Sequence, residues 1–250
     1  MLENCVLIKK IQLNEKLFDF TVRSVGISSS LLPGQFLHIK CSDYHTLRRP
    51  ISVCDVTGDE IRFVFEVRGG GTRELSMKNI GDEIDILGPL GNSFTVTDTN
   101  KKTLFVGGGI GIFPLLYHAK KYGENAIVLL GFRNKDAVCL IDDFKKTGCN
   151  VLVSTDDGSY GLGGFVTDLL KQNISEASAV FACGPEIMIK KTAALANEKG
   201  VFCEVSTEER MGCGIGACLV CACKIKRDGQ EKFLHVCKDG PIFNSLEIGI

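Results

Sequence analysis

Neither sign of charge predominates in this 250-residue chain, where 29 Lys and Arg balance 30 Asp and Glu to a formal net charge of -1. With no basic face and no polybasic run, nucleic acid and anionic membrane surfaces are excluded as partners chosen by bulk charge. The chain also lacks any run approaching the ~20 consecutive apolar residues that a membrane span needs. Its first residues, MLENCVLIKK, lack a basic segment followed by a long apolar one. A cytoplasmic protein is therefore expected. Disulfides are scarce in that compartment, so the 12 cysteines read as metal ligands, redox groups or small core side chains. A hydrophobic fraction of 44% supports packed cores, and the length suits two domains better than one.

Long helices are missing from the first hundred residues. From Met1 to about Asp98 the segments CVLIKKIQL, LFDFTVRS, GQFLHIKC, RPISVCDV, EIRFVFEVR, DEIDILGPL and SFTV read as short strands. Turn chemistry at Pro33-Gly34, Thr57-Gly58-Asp59 and Ile80-Gly81-Asp82 separates them, and the single short helix expected lies around Thr72 to Lys78. Evenly spaced strands without intervening helices point to an antiparallel barrel. Two spots on it carry chemistry. Arg48-Arg49-Pro50-Ile51-Ser52 offers a guanidinium that can hold a phosphate bidentately and a hydroxyl three residues on, although a solvated basic loop reads the same way. Arg68-Gly69-Gly70-Gly71-Thr72 offers glycine amides at a helix start, an anion site or simply a glycine-rich turn.

After the polar break Thr97-Asp98-Thr99-Asn100-Lys101-Lys102 the texture changes. TLFVGGG, AIVLLGF, NVLVSTDDG, SAVFACG and VFCEVS read as strands; IFPLLYHAKKYG, LIDDFKKTG, GFVTDLLKQ and PEIMIKKTAALANEKG read as helices between them. That alternation implies an open, doubly wound parallel sheet with ligands at the carboxyl ends of its strands. Gly107-Gly108-Gly109-Ile110-Gly111-Ile112-Phe113-Pro114 departs from the G-x-G-x-x-G fingerprint, because Ile112 stands where the final glycine belongs, yet it follows a strand and opens a helix. Cys183-Gly184-Pro185 ends another strand, with Pro185 expected at the first helical position. Arg133 and Lys135 follow one strand while Asp156 and Asp157 follow the next, and the acidic pair favours NADH over NADPH.

The tail from Met211 to Cys237 carries the most specific pattern. Cys213, Cys218, Cys221 and Cys237 form C-x4-C-x2-C-x15-C, whose first three ligands have the spacing of a plant-type [2Fe-2S] loop. Gly212, Gly214 and Gly216 let a loop backbone approach a cluster closely. Structural zinc is the alternative, although zinc ligands usually arrive in two C-x2-C knuckles. Cys223 is close enough in sequence to exchange with a ligand.

Together these motifs resemble the ferredoxin-NADP reductase superfamily. The R-x-x-S element, the glycine-threonine element and Gly88-Pro89-Leu90-Gly91-Asn92 resemble its FAD half, and G-G-x-G-x-x-P with C-G-P resembles its nicotinamide half. The resemblance implies that Arg49, Pro50, Ile51, Ser52, Glu66, Val67, Arg68, Gly71 and Thr72 contact FAD. It also implies that Gly107, Gly108, Gly109, Gly111, Pro114, Gly184 and Pro185 contact NAD(H), with the Cys183 thiol beside the nicotinamide. Many relatives carry Tyr where this chain has Ile51, so ring stacking there is weaker. The tail, E-E-R-M-x-C-G-I-G-x-C with a following C-x-x-C and a distal Cys, resembles the electron-transfer subunits of class 1B dihydroorotate dehydrogenases. Three parts follow: 1–98 for FAD, 99–206 for NAD, and 207–250 for the [2Fe-2S] cluster. The implied function is to pass electrons from NADH through FAD and the cluster to a separate FMN-containing catalytic subunit (dihydroorotate to orotate, pyrimidine biosynthesis), in a heterotetramer of two plus two. Related chains serve sulfide dehydrogenase, NADH-dependent ferredoxin:NADP oxidoreductase and anaerobic sulfite reductase, which form the alternative.

Overall fold

A computed structural model of the chain describes residues 1–227 and 229–248. These fall into two units. One contains Met1–Ser93, Glu208–Cys223 and His235–Pro241; the other contains Phe94–Thr207, Lys224–Leu234 and the segment beginning at Ile242.

In the first unit β1 (Leu2–Gln12), β2 (Leu17–Arg23), β3 (Phe36–Ile39), β4 (Arg49–Thr57), β5 (Glu60–Glu66) and β6 (Glu83–Leu90) close into an antiparallel barrel in the order β1-β2-β5-β4-β3-β6. Aromatic residues from adjacent β2 and β5 fill its core. Phe20 meets Phe65 edge-on at 5.1 Å between ring centroids, and Phe18 stacks on Phe65 at 5.9 Å. Burying six consecutive β2 residues includes Asp19, whose carboxylate accepts from the Arg62 guanidinium at 2.6 to 3.0 Å, so the charge is not left unpaired. A one-turn helix, α1 (Val25–Ser28), capped by Ser24, links β2 to β3, and α2 (Gly70–Met77) follows β5.

Strand β3 is buried on both faces. Leu37 and Ile39 are wholly inaccessible, and Phe36 and His38, which alternate with them, are buried as well. A β-carbon placed on Gly214 would meet the His38 ring, and one on Gly91 would meet Phe36, Pro241 and the Gly240 carbonyl. The Asn92 N–H donates to the Gly240 carbonyl at 2.7 Å and its side chain to the Asp239 carbonyl at 3.0 Å. The tail segments of this unit thus cover the outer side of β3. The expected strand at SFTV does not form: residues 92–98 run as irregular chain, because Phe94 leaves the ladder to stack on His118 at 5.2 Å.

The second unit is a seven-stranded sheet. Its strands are β7 (Thr103–Gly108), β8 (Ala126–Phe132), β9 (Asn150–Thr155), the short β10 (Leu162–Gly163), β11 (Ala179–Cys183), β12 (Phe202–Ser206) and a last strand, Ile242–Asn244, in the order β10-β9-β8-β7-β11-β12 and then the last strand. All pairings are parallel except the last, which is antiparallel to β12. Helices α3 (Phe113–Ala119), α4 (Ile141–Lys146), α5 (Val166–Asn173) and α6 (Glu186–Glu198) form the crossovers. Two details differ from expectation. The segment after β7 enters its helix through a 3-10 turn over Gly109–Ile112, and Pro185 caps α6 from outside, so Glu186 is the first helical residue. Between Cys221 and Cys237 the strands β13 (Ala222–Arg227) and β14 (Gln230–His235) pair with each other. With these, the closing strand Ile242–Asn244 is β15. No helix among the described residues is long and apolar enough to cross a membrane.

Candidate functional site

The barrel brings its two chemical elements together. Arg49 to Ser52 open β4 and lie in register with Ile39 to Phe36 of β3, all four half-buried. The two arginines divide the work. Arg48 Nη2 pairs with Asp85 at 2.8 Å and its Nη1 donates to the His38 and Asp85 carbonyls. Arg49 donates only to the Leu47 and Arg48 carbonyls, and no carboxylate pairs with it among the described residues. Its guanidinium lies over Gly71, where a β-carbon would come within 3.0 Å of a guanidinium nitrogen. A cation without an anionic partner, set at a glycine-rich helix start, has the chemistry to hold a diphosphate.

Around that cradle, the Thr72 hydroxyl accepts from the Arg68 and Gly69 N–H groups at 3.0 and 3.3 Å and shapes the turn into α2. Glu66 ends β5 and pairs with Arg68 at 2.6 Å, while the Val67 N–H is tied to the Lys16 carbonyl. His45, which no motif singled out, hangs over Gly70; its Nδ1 lies 3.1 Å from the Ser42 hydroxyl and 3.5 Å from Glu74.

In the sheet, the chain leaves β7 toward β8 on one side and reaches β11 on the other, so the carboxyl ends of β7 and β11 flank a topological switch point. Cys183 pairs in register with Gly107 there. The two glycine elements interlock: a β-carbon on Gly111 would lie 2.4 Å from the Cys183 carbonyl oxygen, and one on Gly108 would strike Met188 and Pro185. Gly109 has a φ of +55°, a left-handed conformation that glycine adopts without strain. Ile112 is fully buried against Gly107, which accounts for the departure from G-x-G-x-x-G. Pro114 sits in the first turn of α3. Arg133, Lys135, Asp156 and Asp157 are exposed beyond the ends of the neighbouring strands β8 and β9. Asp157 accepts from the Ser159 hydroxyl and N–H, hydrogen bonds that hold its carboxyl below the usual range.

The four cysteines of the tail fall into two neighbouring pairs, Cys218 beside Cys213 and Cys221 beside Cys237. Backbone N–H groups point at the sulfurs: Ile215 and Ala217 donate to Cys213 Sγ at 3.5 and 3.3 Å, and Gly216 donates to Cys237 Sγ at 3.1 Å. Burial pushes the Cys213 thiol up, but these amides and Cys218 together bring it down to about 6. Cys237 is pushed up to about 12, by burial first and then by Cys221. Gly214 and Gly216 take φ of +75° and +78°, and a β-carbon on Gly216 would strike Lys238. Two thiol pairs with backbone amides aimed at the sulfurs are a donor set of the kind that would hold a two-iron cluster. Cys223 stands apart, its thiol pushed up to about 11 by burial and then by the Glu209 carboxylate.

His38 escaped sequence reasoning, since one histidine within a strand carries no spacing signal. It is 1% exposed, and among the described residues neither ring nitrogen makes a hydrogen bond of good geometry, the Arg48 and Cys213 backbones being weak neighbours. Burial, and next the Arg48 guanidinium, push its pKa below the usual histidine range.

Comparison with known proteins agrees with this geometry. Residues 208–249 match the iron-sulfur cluster binding domain of dihydroorotate dehydrogenase B. The dihydroorotate dehydrogenase B (NAD(+)) electron transfer subunit of Caldanaerobacter subterraneus subsp. tengcongensis is 42% identical over 217 residues, 86% of each chain. That of Fusobacterium nucleatum subsp. nucleatum is 38% identical over 262 aligned positions, covering 100% of this chain and 99% of its own. Among solved structures, a chain of an NADH-dependent reduced ferredoxin-NADP oxidoreductase studied for flavin-based electron bifurcation aligns with a TM-score of 0.85 and 37% identity, over 98% of this chain and 89% of that one. The barrel, the switch-point sheet and the paired cysteines thus occur in a chain that belongs to the family of dihydroorotate dehydrogenase B (NAD(+)) electron-transfer subunits.

Proposed function

We propose that this chain is the electron-transfer half of a two-subunit dihydroorotate dehydrogenase, exchanging electrons between a nicotinamide dinucleotide and a separate FMN-bearing catalytic subunit. When bound, FAD exchanges a hydride with NAD(H) and a [2Fe-2S] cluster carries single electrons. The observation that carries the reading is the tail: two thiol pairs with amide donors, in a segment matched by the cluster domain of that enzyme.

The roles of the residues follow from their chemistry. Arg49, with the amides of Gly71 and Thr72, holds the FAD diphosphate; Pro50, Ile51 and Ser52 with Glu66, Val67 and Arg68 line the flavin and its ribityl chain. Gly107, Gly108, Gly109 and Gly111 open the switch-point crevice to a dinucleotide. Pro114, Gly184 and Pro185 shape its walls, and Cys183 stands at the nicotinamide. Cys213, Cys218, Cys221 and Cys237 ligate the cluster. By this reading, residues 1–98 serve FAD, 99–206 serve NAD and 207–250 serve the cluster, in a complex of two copies of each subunit.

Direction depends on which end supplies reductant. NADH loads the carriers from the nicotinamide site. Oxidation of dihydroorotate releases two electrons, so turnover of that substrate loads them from the partner and ends on NAD+, the acceptor printed in the relatives' name. The solved relative at 37% identity favours a second reading, service in a ferredoxin:NADP oxidoreductase complex with the same cofactors. Anaerobic co-purification separates the two. Capture of an FMN-bearing subunit, with NAD+ reduction by dihydroorotate that requires both chains, supports the first. Capture of a large glutamate-synthase-like subunit, without dihydroorotate activity, supports the second.

A further inference from the structure

We propose that His38 is a positioning residue for the cluster: it fixes the cysteine loop on the barrel strand beside the R-x-x-S element, and its ring N–H donates to the sulfur shell. The inference rests on the reading of the four tail cysteines as cluster ligands.

The His38 backbone is locked in place. It pairs in register with Pro50 of β4 and with Leu87 of β6, and its carbonyl accepts from Arg48 Nη1 at 3.3 Å. Because side chains alternate along a strand, its ring leaves the barrel interior and lies under the cysteine loop. The Nδ1 atom sits 2.5 Å from where a β-carbon of Gly214 would be, directly after the first ligand, Cys213. Only a glycine can pass over the ring here, and Gly214 also takes a φ of +75°.

The ring is buried and, among the described residues, neither nitrogen makes a hydrogen bond of good geometry, the Arg48 and Cys213 backbones being weak neighbours only. A neutral imidazole carries one N–H and one lone pair, and leaving a buried donor unpaired is costly. The cysteine sulfurs already accept backbone N–H groups from Ile215, Gly216 and Ala217, which serve them from the loop. His38 supplies a donor from the barrel. His118 makes a useful contrast. It is equally buried and likewise makes no good hydrogen bond among the described residues, but it stands among Phe94, Phe105, Tyr122 and Phe181, with no ligand-bearing residue against it.

The test uses the full chain purified anaerobically as wild type, His38→Leu, His38→Gln and Gly214→Ala. FAD content reports folding of the barrel. Iron content, chelator-driven iron release, the electron paramagnetic resonance of the reduced cluster and its midpoint potential report the loop. In His38→Leu, FAD is retained, the midpoint potential falls because the more negative reduced cluster loses a donor, and iron is released about tenfold faster. His38→Gln, which keeps an N–H, returns both toward wild type. A His38→Leu protein with wild-type potential, resonance and iron release overturns the proposal while leaving the cluster reading intact. Should His38→Leu lose FAD and fail to fold, Gly214→Ala decides, since its methyl group displaces the ring: an altered resonance and potential are expected, and unchanged values overturn the role. Wild-type protein with no iron at all overturns the cluster reading, and the role of His38 with it.

Discussion

Adjacent arginines in one motif have different fates, and the difference is electrostatic. Arg48 is neutralised by Asp85, whereas Arg49, over Gly71, has no carboxylate partner among the described residues. Charge-assisted hydrogen bonds are worth about 1.5 to 3 kcal/mol each. Arg49→Ala is therefore expected to weaken FAD binding by roughly 10- to 100-fold, measured by flavin fluorescence titration, while Arg48→Ala lowers stability more than affinity. His118 gives a second prediction at this scale. Its pKa is about 3, below the ordinary 6.5, because burial disfavours the charged ring. The folded state therefore binds fewer protons than the unfolded one. The stability tied to a neutral His118 is complete above pH 6.5 and is lost as pH falls from there toward 3. Denaturant unfolding at pH 7.5 and pH 5 should show wild type losing up to about 2 kcal/mol more than His118→Phe across that interval. Equal losses would assign the pH dependence to other groups.

At the scale of elements, most of the fold was legible because its signals are local. Alternation in LFDFTVR and EIRFVFE, and the strand-helix rhythm after Thr103, match the observed strands and crossovers. What stayed hidden depends on tertiary partners. SFTV alternates like a strand, but Phe94 packs instead into the aromatic cluster around His118 and Phe181. Ile242–Asn244 is too short to declare itself, yet it pairs with β12, and Ser245 extends the contact by donating to the Cys203 carbonyl. Nor could a sequence show that Arg48 is consumed by Asp85, or that His38 faces the cysteine loop, since both depend on register. Phe243, 2% exposed in β15, carries the prediction for this element. Phe243→Ala should cost about 3 to 5 kcal/mol, read as a lowered thermal midpoint, with the flavin absorbance of the folded protein unchanged at room temperature. A midpoint equal to wild type would show that the strand contributes nothing.

For the whole molecule, the order of carriers is the claim at stake. If the cluster lies beyond the flavin, removing a ligand should separate the two halves of the reaction. Cys218→Ala is expected to leave flavin reduction by NADH largely intact in stopped-flow absorbance while abolishing transfer to the partner subunit. Equal loss of both rates would place the cluster before the flavin, or show that the tail is needed to hold FAD. The site motifs of the two N-terminal segments are weak singly, and what made them legible was their order ahead of a specific cysteine spacing.

The most direct measurement is the iron, acid-labile sulfide, zinc and flavin content of anaerobically purified protein, followed by its absorbance on adding NADH. About two irons and two sulfides per chain, with one FAD and bleaching of both chromophores by NADH, is the expected result. A colourless protein containing zinc alone, or a flavin that NADH leaves oxidised, would contradict it.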